Sequence, residues 1–150
     1  MLGKVAVKRI ARELENFKRD HDALENGLTI EDTAHNIWLV RFNGPPDSIY
    51  EDESHTLQVT FSERYPMEPP EVVFLDQSPV HEHVYSNGHI CLNILYDDWS
   101  PAMTIQTVCI SIVSMLASAK KKSRPPDDLT YSMVPRNPKK TRFHFHDDNV

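Results

Sequence analysis

The stretch HEHVYSNGHICLNIL, residues 81 to 95, gathers side chains that can do chemistry: His81, Glu82, His83, His89 and Cys91, the last being one of only two cysteines in the chain. Imidazole and thiolate are zinc ligands, and the i, i+2 spacing of His81 with His83, repeated by His89 with Cys91, points each pair to one side of an extended segment. Neither C-x-x-C nor H-x-x-x-H accompanies them, so the paired-ligand signature of a zinc-binding module is missing. A thiolate is also a nucleophile, and His83 or His89 beside it as base would make a cysteine hydrolase, although no residue marks itself as the orienting third member of a triad. Whatever the chemistry, the setting of Cys91 is distinctive. Asn87 and Gly88 suit a tight turn with positive φ, which would place the thiol on a rigid corner within reach of another molecule. A short buried strand ICLNIL fits the same local pattern. Cys109 lies among apolar residues at helical spacing and reads as a small buried hydrophobe.

The elements that must position these residues follow from periodicity. Val7, Ile10, Leu14 and Phe17 recur at spacings of three, four and three, with Lys8, Arg9, Arg12 and Glu13 between them, which predicts an amphipathic first helix with a charged outer face. Runs rich in β-branched and aromatic residues come next: 28–30, 37–42, 56–61 and 72–75. In the third, Leu57, Val59 and Phe61 alternate with Thr56, Gln58 and Thr60. Turn chemistry at NGPPDS and YPMEPP separates the runs, and such short connections predict an antiparallel meander. Ser100 and Pro101 break the chain before Thr104, which can cap a helix carrying Ile105, Val108, Cys109, Ile112, Val113 and Leu116 on a wide apolar face. That helix should lie behind the sheet and end near AKKKSRPP, where lysines complement the helix dipole and Pro125 and Pro126 stop continuation. The expected organisation is α+β, with a core over residues 1–122 and an irregular, partly mobile tail over 123–150.

Composition narrows the function. A chain of 150 residues fits one domain. Residues 20–119 hold 16 acidic side chains and two basic ones, Arg41 and Arg64, while the other 14 basic residues lie in the two ends. So acidic a middle argues against a phosphate backbone as partner, and the basic ends suit an acidic protein surface. No run reaches the roughly 20 apolar residues of a membrane span. Basic residues stud the N-terminal segment where a signal segment would be apolar, and the sparse cysteines make no disulfide framework, so a reducing, cytoplasmic or nuclear compartment is expected.

Four ordered motifs, VKRIARELE, NGPPDSIYE, YPMEPPEVVF and SNGHICLNILYDDWSPAMTI, closely resemble the successive blocks of ubiquitin-conjugating enzymes, over roughly residues 5–118. The resemblance implies the fold of that family and a reaction in which Cys91 accepts the ubiquitin C-terminus as a thioester from an activating enzyme and yields it to an amine. It implies that Lys8, Arg9 and Arg12 contact the activating enzyme and ligases, and that Met67 with Ser100, Pro101 and Ala102 forms the loops gripped by RING or U-box ligases. Asn87, Asn93, Asp127 and Asp128 resemble residues that support the acceptor site. No metal or organic cofactor is implied, because the activating enzyme consumes the ATP.

In most of the family a His-Pro-Asn triplet supplies or positions the oxyanion donor, its asparagine eight residues before the cysteine. His81-Glu82-His83 stands there instead, so His83 either stabilises the oxyanion or braces the loop. A histidine at this place, a chain too short for the usual two C-terminal helices, and RPPDD followed by RNPKKTRFHFHDD are similar to the W type of the family. That type is implied to modify the α-amino group of flexible substrate N-termini. Its triplet is His-Pro-His, so Glu82 departs even from the type. The amine choice has a physical counterpart: an α-amine, with a pKa of about 7.7–8.0 against about 10.4 for lysine, is far more often unprotonated at neutral pH.

Overall fold

Four short strands form one antiparallel sheet in sequence order in the computed structural model, which describes residues 2–34 and 36–133. They are β1 (Thr29–Ala34), β2 (Ile37–Asn43), β3 (Ser54–Thr60) and β4 (Glu71–Phe74), each within a few residues of the predicted runs. Register aligns Val40 with Leu57 and Leu57 with Phe74, and beside that row Trp38 with Val59 and Val59 with Val72. Because side chains alternate across a strand, these two rows face the same way, and all six residues are buried. β1, at the edge, is almost wholly exposed.

Helices close the core. α1 spans Lys4–Arg19, the short α2 His21–Glu25, α3 Ile105–Ala117 and α4 Asp128–Met133. α3 buries Ile105, Val108, Cys109, Ile112, Val113, Met115 and Leu116 in the same core as the sheet rows, each large aliphatic side chain contributing roughly 1.5–3 kcal/mol. Its start is set by Thr104, whose Oγ1 accepts from the Thr107 N–H at 3.1 Å. It ends at Ala117, before the lysines expected to complement its dipole; Lys122 instead donates to Glu53 at 2.6 Å and Arg124 is drawn to the loop at residues 78–84. Among the described residues, no helix is long and apolar enough to cross a membrane.

Two expectations need correction. On α1, Val7 is 52% exposed whereas Glu13, assigned to the charged outer face, is 6% exposed. Glu13 is buried because it is fully engaged: it accepts from Arg9 Nε at 2.9 Å, from the Ile105 N–H at 2.8 Å, and from the Tyr65 hydroxyl. A buried carboxylate persists only with such partners, and here it ties α1 to the start of α3. Burial and the Glu13 charge push the Tyr65 phenol well above its ordinary pKa. The second correction concerns the tail. Residues 128–133 are the helix α4, not irregular chain, and Tyr131 on it is buried; residues 134–150 of the expected tail lie outside the described residues.

Candidate active site

The turn at Asn87 and Gly88 forms as its residue types dictate. Gly88 has φ +94°, a region costly for any residue with a Cβ, and a Cβ there would lie 2.3 Å from the Phe74 carbonyl oxygen. That close approach lets the Phe74 N–H bond the Gly88 carbonyl at 2.9 Å, anchoring the turn to β4, while Asn87 Oδ1 accepts from the His89 N–H at 3.1 Å. Cys91 follows, its N–H donating to the His83 carbonyl at 2.8 Å.

The thiol is not on an accessible corner. Cys91 is 0% exposed and clusters with Tyr85 and Tyr131, the latter supplied by α4. The two rings stack with centroids 3.9 Å apart. Tyr85 Oη donates to the Asp127 carboxylate at 2.9 Å, and Tyr131 Oη shares a 2.7 Å hydrogen bond with His89 Nδ1. Asp128 Oδ1 accepts from the Ser86 N–H at 2.7 Å and from Ser132 Oγ at 3.1 Å. Asp127 therefore lies near the cysteine, and together with Asp128 it holds α4 over that thiol. Burial first, and the Asp127 charge second, push the Cys91 thiol up to about 12. Burial and the Asp127 hydrogen bond raise the Tyr85 phenol in the same direction.

The histidines divide by role. His81 is buried, and its Nδ1 accepts from the His83 N–H at 2.9 Å. Only the neutral ring can accept, and burial followed by the neighbouring His83 holds its pKa down at about 4. His83 is 0% exposed, its ring 5.4 Å from that of His81. With Glu82 it borders a groove floored by Ile110 and Ser114 of α3, and Cys91 does not line that groove. Glu82 is exposed, its Oε1 3.7 Å from His83 Nε2. His89 turns to Tyr131 instead. The four residues of the opening pattern thus do not converge, and among the described residues no three of His, Cys, Asp and Glu are grouped to hold a metal ion. Asn93 heads a short 3-10 turn, Asn93–Leu95, and its Nδ2 donates to Asp98 at 2.7 Å.

The surface residues come together at one end. Trp99 Nε1 donates to the Pro66 carbonyl at 2.8 Å, joining the loop of Met67 to that of Ser100, Pro101 and Ala102, and Arg9 Nη2 donates to the Met103 carbonyl at 2.7 Å, joining α1 to both. Lys8, Arg12, Met67, Pro101 and Ala102 are exposed; Arg9 is half-buried, with its guanidinium already paired to Glu13. Tyr85, Tyr131 and Arg124 are site residues that sequence reasoning missed. The i, i+2 continuation from His81 and His83 reaches Tyr85 and was a usable signal; Tyr131 stands in a helix of six residues, too short to show periodicity.

The family model described as ubiquitin-conjugating enzyme matches residues 9–146. The chain is 50% identical over 145 residues to a probable ubiquitin-conjugating enzyme E2 W of Dictyostelium discoideum, covering 95% of this chain and 96% of that one. It is 47% identical over 147 residues to a probable ubiquitin-conjugating enzyme E2 W-A of Danio rerio, covering 94% and 95%. The fold matches the crystal structure of the ubiquitin-conjugating enzyme E2 UbcA1 from Agrocybe aegerita with a TM-score of 0.82 at 40% identity, over 91% of this chain and 100% of that one. With the meander, the two flanking helices and the cysteine turn already in place, this chain belongs to the ubiquitin-conjugating enzyme family, whose members work with ubiquitin, an activating enzyme and ligases.

Proposed function

We propose that Cys91 carries ubiquitin as a thioester and delivers it to the α-amino group of substrate N-termini. The observation that carries the choice of cysteine is its company. Cys109 is sealed among aliphatic side chains of the core, whereas Cys91 ends a glycine turn beneath polar-tipped tyrosines, with Asp127, His89 and Asn87 around it. Once uncovered, a cysteine of ordinary pKa, about 8.5, supplies thiolate near neutral pH as both nucleophile and leaving group, and its thioester keeps the acyl group reactive, so the transfer calls for no metal or organic cofactor; ATP is spent by the activating enzyme. A thiol that must stay free for charging is favoured by a reducing compartment such as the cytoplasm or nucleus.

Preference for α-amines is supported by the similarity to proteins named E2 W and by the amine chemistry. An amine with a pKa near 8, by the reference value of about 7.7–8.0, needs less help from a site that lowers its pKa than lysine does. His83 acts here as a brace: its backbone joins His81 to Cys91 and its ring packs beside His81 on the α3 side of the loop. Lys8, Arg12, Met67, Pro101 and Ala102 form the docking end for the activating enzyme and for RING or U-box ligases, supported by the exposure of these residues at one end of the molecule.

Protein, activating enzyme, ubiquitin and ATP should give a thiol-sensitive adduct that disappears in Cys91→Ser. No adduct on the unsubstituted protein overturns the assignment. Discharge to a peptide with a free N-terminus should exceed that to its acetylated twin carrying a lysine; equal transfer to both refutes α-amine preference.

A further inference from the structure

The loop that leads to Cys91 makes few ladder hydrogen bonds of its own, and its carbonyls must be satisfied elsewhere. Tyr50 Oη takes the Val80 carbonyl at 2.5 Å. Three others go to one side chain. Arg124 Nη1 donates to the carbonyls of Pro79 at 2.8 Å and Val84 at 3.1 Å, and Nη2 to that of Ser78 at 3.2 Å, with Ser78 Oγ at 3.4 Å from Nη1. Ser78 Oγ in turn donates to the Tyr85 carbonyl at 3.2 Å. The guanidinium thus joins the first residues of the loop, Ser78 and Pro79, to its last, Val84, and spans the His81–His83 segment from behind. A planar guanidinium offers several N–H donors in a fixed fork; an ammonium of equal charge does not.

Arg124 has a second attachment, through the chain. Pro125 and Pro126 follow it, and their fixed φ limits where the next residues can go. Those residues are Asp127, on the Tyr85 hydroxyl, and Asp128, on the Ser86 N–H. Anchoring Arg124 therefore sets both walls around Cys91 at once: the loop whose His83 carbonyl receives the Cys91 N–H, and the segment whose Asp127 and Tyr131 lie over it.

We propose that Arg124 is a positioning residue for ubiquitin transfer, stapling the loop at residues 78–84 to the Asp127–Tyr131 segment so that Tyr85 and Asp127 stand in register beside Cys91. It does not touch the reacting atoms. The proposal rests on Cys91 as the acceptor, and the two can be tested apart.

The adduct is first accumulated on the unsubstituted protein, Arg124→Lys and Arg124→Gln with activating enzyme, ubiquitin and ATP, then ATP is removed and discharge to a free-amine peptide is followed in a single turnover at several pH values. Discharge should slow about tenfold in both variants, the scale of a modest misplacement of reacting groups. The fall should be in the maximal rate rather than in the peptide concentration at half-saturation, and the pH profile should change shape because the Tyr85 phenol loses the Asp127 hydrogen bond and charge that help to hold its pKa up. Arg124→Lys, which keeps the charge and most of the packing, guards against a variant that merely unfolds. Unchanged discharge rate and pH profile in Arg124→Lys overturn the proposal. So does a folded variant that cannot be loaded, since the defect then lies before transfer. Failure of the unsubstituted protein to form an adduct removes the acceptor assignment, and this proposal with it.

Discussion

The two cysteines share their measurable burial and differ in what buries them. Both are 0% exposed, and burial pushes both thiols up to about 12. Cys109 is enclosed by the sheet rows and α3, the part of the molecule that can open only with the whole fold. Cys91 clusters with two tyrosines, one of them on a helix of six residues held by a few hydrogen bonds, in which Asp127 accepts from Tyr85, Asp128 accepts from the Ser86 N–H and Tyr131 pairs with His89. Equal burial therefore means unequal access, because local opening costs far less than global unfolding where few apolar contacts must be broken. A thiol that must be charged by another enzyme needs the easily opened cover, that of Cys91.

The sharpest way to break the comparison is to exchange each sulfur for oxygen. Cys91→Ser should lose the thiol-sensitive adduct completely, while Cys109→Ser should retain it and lose about 1–3 kcal/mol of stability from a hydroxyl in an apolar site. Loss of the adduct in Cys109→Ser with the fold intact, measured by gel and by circular dichroism, would reverse the assignment.

Acid should separate the two regions next. His81 has its pKa held at about 4 against an ordinary 6.5, so between those values the unfolded chain takes up a proton that the folded chain refuses. Stability contributed by His81 is therefore full above pH 6.5 and declines as pH falls toward 4, by roughly 3 kcal/mol in all. Urea unfolding at about pH 7 and about pH 4.5 should show this loss, and His81→Asn should flatten it. Burial alone raises the Cys109 thiol, which stays protonated throughout this range.

The turn beneath Cys91 tests whether its support is as rigid as the core under Cys109. Gly88→Ala would place a Cβ 2.3 Å from the Phe74 carbonyl oxygen at φ +94°, so the turn must move. A loss of about 2 kcal/mol or more, read as a lowered urea midpoint, and slower charging are expected. The smallest effect is the most local. Tyr131→Ala removes the ring over Cys91 and should speed alkylation of that thiol by about tenfold, equivalent to about 1.4 kcal/mol of easier opening, with Cys109 still protected. Peptide mass mapping after a timed iodoacetamide pulse distinguishes the two.

Much of this was legible in residue order. The strand rows, the Thr104 cap, the apolar face of α3 and the Gly88 turn all follow from short-range rules, since each depends on neighbours within a few positions. Glu13 was misjudged because its charge reads as solvated until Tyr65 and Ile105, distant in sequence, arrive to satisfy it. α4 was missed for a related reason: six residues flanked by prolines carry no periodicity, and the helix is held by bonds from Asp127 and Asp128 to the turn that carries Cys91.

What the sequence alone determined, then, is the family, the meander and the residue types available for chemistry, because motif order and local periodicity are properties of neighbouring positions. Only the tertiary structure decided that Cys91 is covered rather than exposed, that the His83 N–H meets the His81 ring, and that Arg124 joins both walls of the site. Those outcomes depend on which distant polar groups meet, and a buried donor or acceptor chooses its partner by geometry that no local pattern encodes.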